Sequence, residues 1–352
     1  MKKEGKSSGG ILFGLLLLIG GICLLWWNEG RTVKTASAIK EVNSAVVDVS
    51  SNEVNSQYEG KVVTTNGQAT YDNVVDQDFG VNINALVLNR SVEMYQWTEN
   101  CDSDNDCTYN KSWESSIVSS AGFQSGHTNP TSMLYDSAAY YATNVKLGAF
   151  IIPSDFLTDL TSTKDYQELV DIPEGFHYQN GYYVNTKGDS PEIGDLRISF
   201  KYNDSKELTV LGVQTSNTFK PYVAKSGVSI SLLADGLLES TEMVKILNDQ
   251  NNATKWMFRL IGTIMVIMAV TMIISPLTKL LGYIPLLGNV VNSVLFFITA
   301  LLGFALSLLV IAIAWFRYRP VLSLILVIII AAAIVLVEIL AKKKKAPETV
   351  NS

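Results

Sequence analysis

Few residues in this 352-residue chain stand at spacings that do chemistry. Asp102, Asp104 and Asp106 alternate like the early ligands of a calcium loop. Cys107 and Trp113, however, stand where such a loop needs a glycine for its turn and a bidentate glutamate. The segment therefore reads as a solvated acidic tip. His127 and His177 are the two histidines; they lie far apart, with no second ligand spaced to help either hold a metal. His127 reads as a hydrogen-bonding loop residue. Ser37 and Lys40 match the S-x-x-K nucleophile pattern but lack its partner motifs, and no G-x-S-x-G, H-E-x-x-H or P-loop occurs. Neither a metal nor a cofactor is expected. Cys101 and Cys107 are spaced to close a disulfide in an oxidising compartment, as a structural clip. Tyr95, Trp97, Trp113, Tyr140 and Tyr141 could build a binding face, but aromatic residues at strand spacing read first as core.

The elements that must carry these residues fall into two kinds. Four apolar runs, 9–27, 256–275, 290–316 and 321–341, each reach the roughly 20 residues that a helix needs to cross a bilayer core of about 30 Å. The expected fold is an integral membrane helical protein of four spans, with a large strand-rich α+β domain, 28–255, inserted after the first. Gly14, Gly20 and Gly21 in the first span, and Gly303 with Ser307 in the third, allow close helix contact. No charge is expected near the centre of a span, and Glu338, close to the end of the last, is the one ionisable group counted within a span. Residues 276–289, broken by Pro276, Gly282, Pro285 and Gly288, read as an interfacial or re-entrant connection. Cys23 lies in the first span, as a small apolar side chain.

Within the inserted domain, Asn66-Gly67 reads as a turn after a strand at 61–65, and Asn180-Gly181 as a hairpin turn. Residues 92–97 and 109–119 read as a long hairpin with the two cysteines near its tip. Part of 132–143 reads as helix, and Pro153-Ser154-Asp155 opens a short helix ending near Leu160. Residues 239–255 read as a helix running towards the second span. If the domain divides, 186–193 is the break.

Charge is divided as sharply as hydropathy. Residues 28–255 carry 30 Asp and Glu against 16 Lys and Arg, net −14, and the remainder is net +8. Lys2, Lys3 and Lys6 precede the first run, and Lys342 to Lys345 follow the last. Positive flanks favour the cytoplasm. The tails 1–8 and 342–352 are therefore expected inside and the acidic domain outside, with Arg31, Lys34, Arg317 and Arg319 standing against the rule. An acidic domain is a poor partner for nucleic acid.

Several phrases occur together and in order: Asn28-Glu29-Gly30-Arg31, then Val92 to Trp97, Trp113, Gly126-His127, Asn129-Pro130, Gly194 to Phe200, Lys225-Ser226-Gly227 and Arg319-Pro320. In these the chain resembles the transmembrane protein 43 family, also called LUMA, over nearly its whole length. The resemblance implies a multi-pass membrane scaffold that organises membrane protein complexes, in animals at the inner nuclear membrane and endoplasmic reticulum. No enzymatic mechanism comes with it. The short first tail and compact domain point to a bacterial relative, in a cytoplasmic membrane with a periplasmic domain. The alternative is the endoplasmic reticulum or inner nuclear membrane, with a lumenal domain. Expected partners are the bilayer, other membrane proteins and further copies of the chain. The family phrases also mark a candidate ligand or partner site at Glu93, Tyr95, Trp97, His127, Asn129, Asp195 and Arg197. An envelope enzyme or ligand sensor using His127, Asn129, Asp195 and Arg197 is the alternative reading.

Overall fold

A computed structural model describes residues 7–101, 106–167, 172–281, 288–325, 327 and 328. The chain forms two compact units. One gathers Met1–Glu41, Ala224–Val228 and Lys245–Ser352, and the other Val42–Val223 and Ser229–Val244.

The helical unit draws on three long helices, α1 (Ser7–Ala45), α2 (Ser240–Leu281) and α3 (Gly288–Tyr318). Gly10–Ala45, Ser240–Ser275 and Phe296–Tyr318 are long and apolar enough to cross a membrane, so three candidate spans are described where four are expected. The expected fourth, 321–341, is helical at 320–325 and 327–328, and the rest of it, with Glu338 and Lys342 to Lys345, lies outside the described residues. The first two helices also outrun the expected spans. Nothing in 28–45 or 240–255 breaks an α-helix, so the hydrogen-bond ladder continues through the polar flank. Pro276 does not end α2, which runs on to Leu281; 282–287 of the expected connection lie outside the described residues. Side chains such as Phe297, Leu301 and Leu309 face outwards, as a lipid solvent permits, and Cys23 is exposed on α1.

The glycines sit where helices close on one another. A Cβ on Gly21 would stand 2.9 Å from Val266 Cγ2, one on Gly14 3.1 Å from Met272 Cβ, and one on Gly303 2.7 Å from Ile267 Cα. Backbones meet there because no side chain intervenes. Ser307, one turn from Gly303, is fully buried.

The other unit is strand-rich. Five strands close a ring: Val62–Thr70, Lys146–Leu147, Phe150–Ile151, Thr218–Lys220 and Glu207–Thr215, the last returning to pair with the first along Glu207↔Gln68 to Val213↔Val62. Closure leaves no long edge in the ring unpaired. Asn66-Gly67 is not a turn but the middle of the strand Val62–Thr70. A Cβ on Gly67 would lie 2.7 Å from Ser51 Oγ, so the glycine serves close approach within a strand.

The second sheet runs in the order His177–Gln179, Tyr182–Val184, Leu196–Asn203, Val87–Cys101 and Cys107–Glu114, with Lys164–Tyr166 and Ala138–Tyr141 pairing at its sides. The hairpin at Asn180-Gly181 forms as expected, both residues at positive φ (51° and 87°), the pair a tight two-residue turn requires. Residues 138–141 form a strand, not the helix read in 132–143, because pairing with Val87–Arg90 outweighs local propensity. The short helix at Ser154–Asp159 is present, as a 3₁₀ helix with Asp155 in its first turn.

Along Val87–Cys101 the period of two sorts the side chains. Val92, Met94 and Gln96 are buried, while Glu93, Tyr95 and Trp97 are half-buried on the opposite face. The core behind the sheet holds Phe79, Leu88, Tyr183, Ile198 and Phe200.

Candidate functional site

The outer face of this sheet carries most of the residues the family phrases single out. Register sets their neighbours: Glu93 pairs with Arg197, Tyr95 with Trp113, Trp97 with Lys111, and Glu99 with Tyr109. The hairpin closes at Cys101↔Cys107, whose sulfurs are bonded.

Two aromatic clusters result. In the first, Arg197 Nε donates to Glu93 Oε2 at 2.6 Å, and its guanidinium lies 4.8 Å from the Trp113 ring centre and 4.7 Å from that of Tyr182. Trp113 in turn packs on Tyr95 at 5.2 Å. A planar cation between two ring faces is held by the negative charge of the π-clouds, and its carboxylate partner fixes its roll. In the second, the His127 imidazole stacks on Tyr109 at 3.9 Å and meets the edge of Trp97 at 4.6 Å, with Lys111 4.8 Å from the Trp97 ring. The Tyr109 hydroxyl donates to Glu99 Oε1 at 2.5 Å, and that bond pushes the phenol above its ordinary pKa.

These rings are not core, contrary to the first reading of their spacing. Tyr95, Trp97 and Trp113 are half-buried, and the core is filled from the opposite face of the same strands. Tyr141 is exposed, and Tyr140 packs at the core margin.

Asn129 and Asp195 have other work. The Asn129 side chain is buried and engages both backbone groups of one strand residue. It accepts from the Trp97 amide at 2.7 Å and donates to the Trp97 carbonyl at 2.9 Å and the Val118 carbonyl at 3.1 Å. It therefore ties the loop holding His127 to the long strand. Asp195 accepts from the Glu192 amide at 2.8 Å and stabilises the turn before Leu196–Asn203. Among the described residues, no hydrogen bond or ion pair joins His127, Asn129, Asp195 and Arg197 to one another. Asp102 and Asp104 lie outside the described residues. Glu99, Cys101 and Cys107 come close together, but two of those three atoms are sulfurs already spent on the disulfide.

Sequence reasoning missed two buried ion pairs. In the strand-rich unit, Arg90 Nη1 contacts both Asp76 oxygens at 2.8 Å and Nε donates to the Asp136 carbonyl at 3.0 Å. Asp76 is fully buried and Arg90 is 5% exposed. In the helical unit, Glu29 is fully buried and accepts from Arg259 Nε at 2.7 Å and from Trp315 Nε1 at 3.0 Å, joining α1, α2 and α3. Asn28 beside it donates to the Lys255 carbonyl at 3.0 Å. Arg259 lies inside the expected second span, 256–275, so Glu338 is not the one ionisable residue of the spans. The available signal was a carboxylate directly after the first apolar run and an arginine inside the second.

With this geometry in hand, comparison with known proteins gives one answer. A family model described as transmembrane protein 43 matches residues 94–320. Transmembrane protein 43 of rat and that of human are each 28% identical to the chain, over 93% of it and 88% of the relative. A transmembrane protein 43 homolog of Drosophila melanogaster is 29% identical over 89% of each. No solved structure matches.

Proposed function

Because the chain belongs to the transmembrane protein 43 family, we propose that it is a multi-pass membrane scaffold, without enzymatic chemistry, that holds other membrane proteins together. The strand-rich unit supplies the binding surface, and the apolar helices pack laterally with further copies or with partner helices.

The observation that carries this reading is the outer sheet face. Tyr95, Trp97, Trp113, Tyr182 and His127 present broad half-exposed rings whose orientation is fixed by packing, by Arg197 and by Asn129. Pre-ordered aromatic area loses little rotamer freedom on binding, and protein interfaces are enriched in it. On this face Arg197 is neutralised by Glu93, and the Glu99 carboxylate accepts from the Tyr109 hydroxyl. The Cys101–Cys107 disulfide supports placing this unit on the oxidising, non-cytoplasmic side, a periplasm or a lumen.

The test is crosslinked affinity purification of the full chain from native membranes, read by mass spectrometry. Reproducible membrane-protein partners and crosslinks between copies are expected for the wild type. A Tyr95→Ala/Trp97→Ala variant should lose those partners by roughly ten-fold or more, as removal of aromatic anchors does. A monomer recovered without partners, or partners unchanged in the variant, overturns the reading.

A further inference from the structure

The helical unit has a groove between α2 and α3 of about 420 Å³, walled by Trp256, Leu260, Leu308, Ile311 and Trp315, with Arg259 on one wall. Leu260 and Leu308 are half or more exposed, so the groove opens sideways from the helices. It follows α2 from Trp256 to Thr263, about 10 Å of helix rise. We propose that this groove binds an anionic phospholipid of the surrounding bilayer, one acyl chain along the apolar walls and the phosphate at the Arg259 end.

The polar end selects the sign of the headgroup. Segments 26–34, 252–260 and 314–320 contain Arg31, Lys34, Lys255, Arg259, Arg317 and Arg319 against the one acid Glu29. Glu29 occupies Nε and Nη2 of Arg259, and among the described residues Nη1 has no partner. Arg319 Nε is buried and has no acceptor among the described residues, and Arg319 and Arg259 both lie within electrostatic reach of Lys255. Arg259 Nη1 is the open donor at the groove, and phosphate oxygens are acceptors that guanidinium groups favour; Arg319 adds positive charge there. Trp256 and Trp315 place this end at headgroup level, where indoles collect. The occupant also accounts for cations on a flank where the distribution of basic residues between the two sides disfavours them. They face lipid phosphate, as basic pockets between membrane helices do.

The groove is built by residues of the helical unit and the outer sheet face by residues of the strand-rich one, so the proposal does not depend on the scaffold reading. It is tested on the full chain, purified in dodecyl maltoside and stripped of lipid. The protein is then offered equimolar dioleoyl phosphatidylglycerol and dioleoyl phosphatidylcholine and read by native mass spectrometry. The expected result is one retained phosphatidylglycerol in clear preference to phosphatidylcholine. Lys255→Gln and Arg319→Gln should each weaken that preference roughly five-fold. Ala312→Phe, which fills the groove without changing charge, should lower retention of both lipids. Equal retention of the two lipids by the wild type overturns the proposal, and that comparison stands even if the variants aggregate. A preference that survives the double cation substitution, or retention unchanged by Ala312→Phe, overturns it too. So does a wild type that retains no lipid because a protein fills the groove.

Discussion

Asp159 accepts a hydrogen bond from the Leu233 amide at 3.0 Å, and burial pushes its carboxyl above the usual carboxylate range. A carboxyl whose folded pKa exceeds its unfolded value contributes stability that is complete below the unfolded pKa and lost as pH rises through the folded one. At neutral pH the ionised group therefore costs stability. Asp159→Asn, which keeps an acceptor for Leu233, should raise the melting temperature at pH 7, and the gain should vanish as the pH falls towards 4. A gain that is constant with pH would remove burial as the cause. Asp76 differs in having a cation beside it: it is fully buried and meets Arg90 Nη1 through both oxygens. Arg90 Nη1 also pairs with the half-exposed Asp78 at 2.8 Å, so Asp76→Ala leaves the guanidinium one carboxylate and should cost about 1.5–3 kcal/mol, the worth of a charged hydrogen bond, measured by thermal or denaturant unfolding. Replacing Asp76 and Arg90 together with Leu and Met should cost less than the single change. Neither residue advertised itself in the sequence, because Asp76 and Arg90 are joined by a fold that brings the turn at 77–80 back against Val87–Cys101. Asn129 was legible as part of a family phrase, but its role as a tie between His127's loop and Trp97 required coordinates.

At the scale of elements, the helices show how far local pattern reaches. The apolar runs placed α1, α2 and α3 correctly and the glycines marked their contacts, since both signals are local in sequence. Gly303 is the sharpest instance: a Cβ there would stand 2.7 Å from Ile267 Cα and 3.2 Å from its Cγ1. Gly303→Leu should therefore lower thermal stability in detergent by the equivalent of about 1–3 kcal/mol, the usual cost of overpacking. A change of no effect would show that α2 and α3 part freely there. The strands were read with mixed success. Asn180-Gly181 is a turn and Asn66-Gly67 is not, although both dipeptides carry the same conformational preference. The difference is tertiary: Val62–Thr70 is gripped by Glu207–Thr215 across seven register pairs, which a turn at Gly67 would forfeit. Propensity is worth tenths of a kcal/mol and a lost ladder much more.

For the whole molecule, the division of charge and hydropathy argues for one orientation, and it can be checked directly. Ser125 lies exposed in the strand-rich unit. With that unit on the outer side, a Ser125→Cys variant in intact cells should react with a membrane-impermeant maleimide, and cysteines placed in either tail should react only after the membrane is opened. Labelling of the tails in intact cells would reverse the topology.

The amino-acid sequence by itself determined the membrane class, the insertion of one acidic strand-rich domain, the cysteine clip and the family. Each of these rests on composition, on short spacing or on phrases contiguous in the chain. Tertiary structure alone decided that five of the domain's strands close into a ring, and that the Tyr95 and Trp97 rings face outwards while their neighbours fill the core. It also decided that Glu29, Arg259 and Trp315 meet. In all three the deciding partner is distant in the chain: an alternating strand, for instance, has two faces, and which one is buried depends on what packs behind it. A charge just beyond one apolar run finds its partner only when helical segments more than two hundred residues apart in sequence are brought side by side.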